Sequence, residues 1–278
     1  MPAASPPHPP TSGAASDPWM PGPARPLLAA GAVHVWRADL TTVTDELCAL
    51  LSDDELSRAG RMLTGEPDRK LWMRSRAVLR ALLGRYLGGD PRALRFAVDG
   101  HGKPALLGDA PAGSAAPAGS AAGTAAPAGS AAPAGPAAPP VATSAPSRTI
   151  DFNLSHSGAI ALYALAKGTA VGVDVELVRR PVDTLGIATR MFGAAEADRL
   201  RELDPRARER EFLRAWARHE ARLKCVGVGI VAAGADDGAG SLWIADLQVG
   251  AGAAAAVAAE RTPRELCRWQ WPPLGPPG

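Results

Sequence analysis

The chain is short of cysteine, of net charge and of long apolar runs, and each shortage removes a class of answers. Its 278 residues include 3 cysteines, Cys48, Cys225 and Cys267, far apart and odd in number. No CxxC and no Cys/His ligand spacing occurs, which argues against a zinc site and implies no disulfide framework. The 30 Lys and Arg nearly balance 28 Asp and Glu, leaving a formal charge of +2. A nucleic-acid duplex or an anionic membrane calls for a more sustained basic surface. The N-terminus lacks a basic region followed by a continuous apolar stretch, so no secretory signal is expected. No charge-poor stretch qualifies as transmembrane; residues 251–259, AGAAAAVAA, are too short and too weakly apolar to span. A cytoplasmic protein of one large domain or two small ones is the expectation.

Charge is also missing locally. Residues 110–147 carry none, and the hexapeptide AAPAGS occurs at both 115–120 and 125–130. Such a segment buries too little apolar surface to offset its ordering, so 109–147 reads as a flexible insertion. The first 27 residues, rich in Pro, Ala and Ser, are expected to be disordered. Residues 263–278 read as a Pro-rich tail, although Trp269 and Trp271 leave open a packing back onto the fold. Between these lie an N-terminal half, 28–167, and a C-terminal half, 168–262.

What is present has clear periodicity. GAVHVWRADL from Gly31 predicts a strand with Val33 and Val35 on one face and His34 and Trp36 on the other. Ser52 followed by Glu55 makes a capping box at the start of a helix. Residues 68–88 form the strongest helix pattern, with Leu71, Val78, Leu82 and Tyr86 in one stripe and Gly88-Gly89 ending it. Ile160 to Leu165 and VGVDVEL at 171–177 predict strands, and a helical stretch runs from about 183 to 201. A second long helix holds Phe212, Trp216, Leu223 and Val226 on one stripe, and two further strands follow at SLWIADLQV and AAAAVAAE. Strands around long helices, in two runs of similar order, predict an α+β fold. Its two similar α/β halves would form a pseudo-dimer with the active site in the cleft between them, although no clear internal sequence repeat accompanies the pattern.

The chemistry concentrates in a few places. Asp174 and Glu176 interrupt an apolar strand and point to the same face. Two carboxylates there are costly if dry unless a cation or donors meet them; a solvated face is the ordinary explanation of an isolated DxE. Glu220 and Lys224 stand one helical turn apart, which taken alone is an ordinary exposed ion pair. Together, two strand carboxylates, one helix carboxylate and a lysine suit a magnesium ion serving a phosphate substrate, because magnesium takes hard oxygen ligands. Arginines outnumber acids over residues 58–85, which suits phosphate better than a duplex.

Four motifs then occur in order: GKP at 102–104, FNLSHSG at 152–158, VGVDVE at 171–176 and WARHEARLK at 216–224. In this order and spacing the chain resembles the 4'-phosphopantetheinyl transferase superfamily, in its larger monomeric type that activates polyketide and nonribosomal-peptide carrier proteins. The resemblance covers roughly residues 31 to 250 outside the insertion. It implies Mg²⁺ held by Asp174, Glu176 and Glu220, with coenzyme A as co-substrate. It implies Glu220 as base for the acceptor serine of an acyl or peptidyl carrier protein, and Lys224 as the cation that stabilises the departing phosphate. Ser155, His156 and Lys103 resemble coenzyme contacts, and Arg69 and Arg76 fall where the family carries basic groups near the adenosine phosphates. Arg74, Arg80 and Arg85 fit a solvated helix face equally well. Carrier recognition is expected from the surface after Met191-Phe192 and the loop from Arg199 to Pro205, with arginines meeting acidic carrier helices. A monomer is expected, since two halves build the cleft within one chain.

Two departures stand out. His219 replaces the lysine that the family places before the motif glutamate, and the insertion comes shortly after GKP. His219 is the one feature that favours the alternative, a non-catalytic coenzyme A or phosphate binding module of the same fold.

Overall fold

The computed structural model describes residues 19–98, 104–107, 150–177, 183–227 and 242–272. In chain order the elements are β1 (Met20–Pro21), β2 (Ala32–Asp39), α1 (Asp53–Gly60), α2 (Glu66–Leu87), β3 (Phe96–Val98), β4 (Pro104–Leu106), β5 (Asp151–Ser157), β6 (Ile160–Ala166) and β7 (Val171–Leu177). They continue with α3 (Thr184–Phe192), α4 (Ala194–Arg201), α5 (Pro205–Val226), β8 (Trp243–Asp246), β9 (Ala253–Ala259) and β10 (Glu265–Gln270). The class is α+β.

Two sheets are stacked between two helices. A five-stranded sheet has the order β1-β10-β2-β6-β5, and a three-stranded antiparallel sheet the order β7-β9-β8. The alternation of β2 decides the stacking. Trp36 faces α2, where it joins Val78, Leu79, Leu82, Leu83 and Tyr163 in one core. Val33 and Val35 face the second sheet and meet Val171, Val173, Val175 and Val257. The far side of that sheet takes α5 through a buried centre of small residues, Ala217, Ala221 and Cys225 against Ala254, Ala256 and Ala258, with Leu213, Leu242 and Ile244 packed around it. Each sheet is therefore backed by a 22-residue helix. Burying one such Leu or Val side chain is worth about 1.5–3 kcal/mol, which makes these layers the main source of stability.

The helix ends follow their local chemistry. Ser52 and Glu55 close the capping box of α1. The α2 helix stops at Gly88, whose left-handed φ of 69° a side chain would resist. Pro205 is the first residue of α5, where its missing N–H costs nothing, and Asp204 caps the two N–H groups that follow.

Three expectations are corrected. Residues 265–270 are not part of a loose tail: β10 lies parallel to β2, between it and β1 in the first sheet, with Glu265 opposite Ala32 and Gln270 opposite Arg37. Its apolar residues explain why. Trp269 packs on Trp36 at 4.9 Å between ring centres, and Trp271 is 2% exposed. Residues 20–21 are likewise ordered, because β10 offers them an edge to pair with. The helical stretch from 183 is two helices, broken at Gly193 with φ 88°. The expected insertion 109–147 and residues 1–18 lie outside the described residues, as do 273–278 of the tail. All three cysteines are free thiols. Among the described residues no helix is long and apolar enough to cross a membrane.

Candidate active site

The site begins with a close approach of two backbones. Gly172 in β7 lies directly beneath α5: a Cβ there would stand 2.1 Å from the Ala221 carbonyl oxygen and 2.5 Å from the Cys225 nitrogen. Only a residue without a side chain admits the helix at this depth. One step further along each element, the chemistry-bearing side chains meet. Lys224 donates to Asp174 Oδ1 at 2.5 Å and to Ser155 Oγ at 3.2 Å, and Ser155 Oγ donates to Asp174 Oδ1 at 2.9 Å. Three elements, β5, β7 and α5, thus converge on one carboxylate oxygen.

Asp174 is not one of a solvated pair, since it is 2% exposed. Its second oxygen, Oδ2, and Glu220 Oε1 are buried without a hydrogen-bond partner. Burial pushes the Glu176 carboxyl above its ordinary range, and the negative charges of Asp174 and Glu220 push it the same way, against the pull of Lys224. Glu220 is raised too, chiefly by burial, with Lys224 opposing and Asp174 adding to the rise. A buried set of carboxylates that crowd one another, with two orphaned oxygens, is what a hard divalent cation relieves. Among the described residues, no group of three His, Cys, Asp or Glu side chains is arranged to hold a metal ion as it stands. In this arrangement the Lys224 ammonium supplies positive charge at Asp174. The donor set Asp174, Glu176 and Glu220 fits Mg²⁺ in chemistry.

A cavity of about 680 Å³ opens beside this cluster, a size suited to a cofactor-sized ligand. Ser155, His156 and Lys224 form one part of its wall. Arg58 of α1 and Trp72 of α2 form another, with the Arg58 guanidinium 5.7 Å from the Trp72 ring centre. Arg76 also reaches the wall, but it is bound to Glu55 at 2.9 Å and lies over Phe96. Arg80 is buried and holds Glu55 Oε2 at 2.6 Å together with the Pro91 and Leu94 carbonyls, so it rivets the helix to the following turn. Neither it nor Arg74, which holds Asp45 and the Leu40 carbonyl, is merely solvated. Arg85 lies over Trp271 at 4.1 Å.

Arg69 is not brought to this cavity. Seven residues from Arg76 at 1.5 Å rise, it stands about 10 Å farther along α2. There it lines a separate hollow of about 270 Å³ with Asp45, Cys48 and Glu66. Lys103 lies outside the described residues, although its neighbour Pro104 is on the cavity wall. His219 points elsewhere, into an aromatic group with Phe192 at 5.5 Å and Trp216 at 6.1 Å. Phe192 therefore packs inward on α5, and Arg199 of the expected carrier surface is held by Glu196. Sequence reasoning missed Arg58, Trp72, Arg95 and Asn153 on the cavity wall. For Asn153 a signal existed, since it shares a strand face with Ser155. For Arg58 and Trp72, the folding of α1 against α2 was needed, and for Arg95 the return of the chain into β3.

The model for the 4'-phosphopantetheinyl transferase superfamily matches residues 170–255. The chain is 33% identical over 215 residues to the 4'-phosphopantetheinyl transferase HetI of Nostoc sp., covering 76% of each chain. It is 28% identical over 182 residues to the putative 4'-phosphopantetheinyl transferase slr0495 of Synechocystis sp., covering 66% of this chain and 59% of that protein. It is also 38% identical over 91 residues to the 4'-phosphopantetheinyl transferase psf-1 of Bacillus pumilus, covering 33% of this chain and 37% of the relative.

Proposed function

The chain belongs to the 4'-phosphopantetheinyl transferase superfamily and is an enzyme of that type, and from this premise we propose that it loads apo carrier proteins of polyketide or nonribosomal-peptide assembly lines. The donor is coenzyme A, and the second product is adenosine 3',5'-bisphosphate. The observation that carries the reading is the convergence on Asp174 of Ser155 and Lys224, both on the wall of a nucleotide-sized cavity, together with two buried carboxylate oxygens, on Asp174 and Glu220, without partners.

Each residue has a part in the transfer. The carrier serine Oγ attacks the phosphorus on the pantetheine side of the pyrophosphate, and the bond from that phosphorus to the bridging oxygen breaks. Glu220 takes the serine proton; burial raises its carboxyl above the usual range and so makes it a better acceptor. Lys224, shared between Asp174 and Ser155, stands where negative charge builds on the departing oxygen. Ser155 and His156 hold the phosphates at the cavity wall. Mg²⁺, held by Asp174, Glu176 and Glu220, supplies charge neutralisation at the pyrophosphate when bound. Arg76 contributes indirectly, by holding Glu55 and with it the wall, rather than as a free phosphate ligand. The protein acts as a monomer in the cytoplasm, where coenzyme A and carrier proteins meet.

The test is the intact mass of an apo carrier incubated with the protein, coenzyme A and Mg²⁺. A gain of one phosphopantetheine that disappears with EDTA and in Glu220→Ala is the expected result. Coenzyme A binding without any gain on several apo carriers would refute turnover and make His219→Lys the next variant.

A further inference from the structure

Where they touch, β7 and α5 run in opposite directions: Gly172 lies beneath Ala221 and Cys225, and Asp174, further along the strand, meets Lys224. Glu176 is two residues beyond Asp174, about 6.6 Å along the strand, a distance that corresponds to about four residues of helix. It is thereby brought level with the turn between Trp216 and Glu220. Burial is the main cause of the raised Glu176 carboxyl, and among the groups that oppose the rise is the Trp216 side chain, through a hydrogen bond. The indole N–H is the one donor that side chain has, so its aim is fixed by where the ring lies.

Other rings hold that indole. Phe212 is stacked on it at 6.1 Å and 25°, Phe192 of α3 stands edge-on at 6.3 Å, and His219 is tilted against it at 6.1 Å. His219 also meets Phe192 edge-on at 5.5 Å, so the three rings of Phe192, Trp216 and His219 close a half-buried triangle. Phe192 is the last residue of α3, just before the break at Gly193, and the triangle ties the end of that helix to α5. A lysine at position 219 would offer no ring to either neighbour and would carry its hydrated ammonium out to water.

Resting on the transferase reading above, we infer that His219 is a positioning residue that acts through its ring: with Phe192 it fixes the Trp216 indole, and Trp216 in turn holds Glu176 where a divalent cation takes it. The imidazole serves here as an aromatic surface and not as a charge. The departure at position 219 is then a change in how the carboxylates are held, and it does not favour a binding module without turnover.

The experiment measures Mn²⁺ binding by electron paramagnetic resonance, with coenzyme A present and a protein-free blank subtracted, beside urea unfolding of the same variants. His219→Phe keeps a ring and should bind Mn²⁺ within about twofold of wild type. His219→Lys keeps a cation without a ring and should bind about three- to tenfold more weakly, the effect of losing aromatic contacts. Phe192→Leu should show the same loss, and it serves if His219→Lys fails to fold. Leu200→Ala is the structural control: it is fully buried in the same cluster but brings no ring, so it should lose stability and keep its Mn²⁺ affinity. Trp216→Phe removes the indole N–H, and combining it with His219→Lys should add nothing further, because both changes break one chain of contacts. If His219→Lys binds Mn²⁺ as well as wild type, or His219→Phe binds it as weakly as His219→Lys, the inference is overturned and the transferase reading stands. If wild type with coenzyme A binds no Mn²⁺, the metal reading of the site falls as well.

Discussion

Replacing Gly172 by alanine tests whether the candidate cluster of Asp174, Glu220 and Lys224 depends on the depth at which α5 sits on β7. The new methyl would meet backbone atoms, 2.1 Å from the Ala221 oxygen and 2.5 Å from the Cys225 nitrogen, and neither can rotate away. Real contacts of this kind essentially never fall below 3.0 Å, so the helix has to back off by about 0.9 Å or the strand has to bend. Overpacking a tight interior costs about 1–3 kcal/mol, and a clash with helix backbone belongs at the upper end. The functional loss should be larger than the stability loss. Glu220 and Lys224 ride on the displaced helix, and the 2.5 Å contact of Lys224 with Asp174 cannot survive such a shift unaltered. Misplacing reacting groups by about 1 Å costs on the order of a hundredfold in rate. Urea unfolding gives the first quantity. Carrier loading, measured at a temperature where the variant is fully folded, gives the second. Gly89→Ala is the control, since its added methyl meets nothing within 4 Å and its backbone is unstrained. If Gly172→Ala unfolds with wild-type stability and loads carriers at the wild-type rate, the close approach does not position the site and the reasoning fails.

Other residues make separate predictions. Burial pushes His34 from 6.5 down to about 4, against the opposing pull of Glu265. The unfolded chain then takes up a proton that the folded one refuses, so stability should fall by about 3 kcal/mol as pH drops from 6.5 to 4, and His34→Gln should flatten the curve in urea titrations. Glu55 is raised by burial but drawn further down by the Ser52 N–H and by Arg80 and Arg76, so it ends below its ordinary range. Its contribution is present above about pH 4.5 and lost as pH falls through the lower folded value. Glu55→Gln, which strands the buried Arg80 charge, should cost about 3–5 kcal/mol in thermal or urea unfolding. Deleting residues 264–278 removes β10 from between β1 and β2, and should abolish cooperative unfolding and near-ultraviolet circular dichroism; a truncated chain that retains both would contradict the sheet order.

The legible parts of the fold were those written in local periodicity. The capping box of Ser52 and Glu55, the glycine stop at Gly88 and the alternation of β2 are each decided within a few residues, and each stands in the structure. The candidate site was legible because Ser155, Asp174, Glu220 and Lys224 lie in compact motifs whose elements set their faces. What escaped were pairings between distant segments. Nothing near Glu265 announces that a strand will slide in beside Ala32, and the prolines around it pointed the other way. The fate of the arginines on α2 escaped for the same reason. Periodicity puts Arg69 and Arg76 on one side of a helix, but only the packing of α1 decides that Glu55 claims Arg76 and Arg80.

The same limit explains why the alanines mattered more than they appeared to. AGAAAAVAA looks like a weak apolar run with little to bury. In the structure its alternate alanines face α5, and their small size, with Gly172 beside them, lets the helix lie close to the sheet. Larger residues at Ala254, Ala256 or Ala258 would bury more area and still be worse, because they would lift Glu220 and Lys224 away from Asp174. The alanines of β9 thus act with Gly172 of β7: small residues on both strands let α5 lie close to the sheet, which a hydrophobicity scale applied to β9 alone does not register.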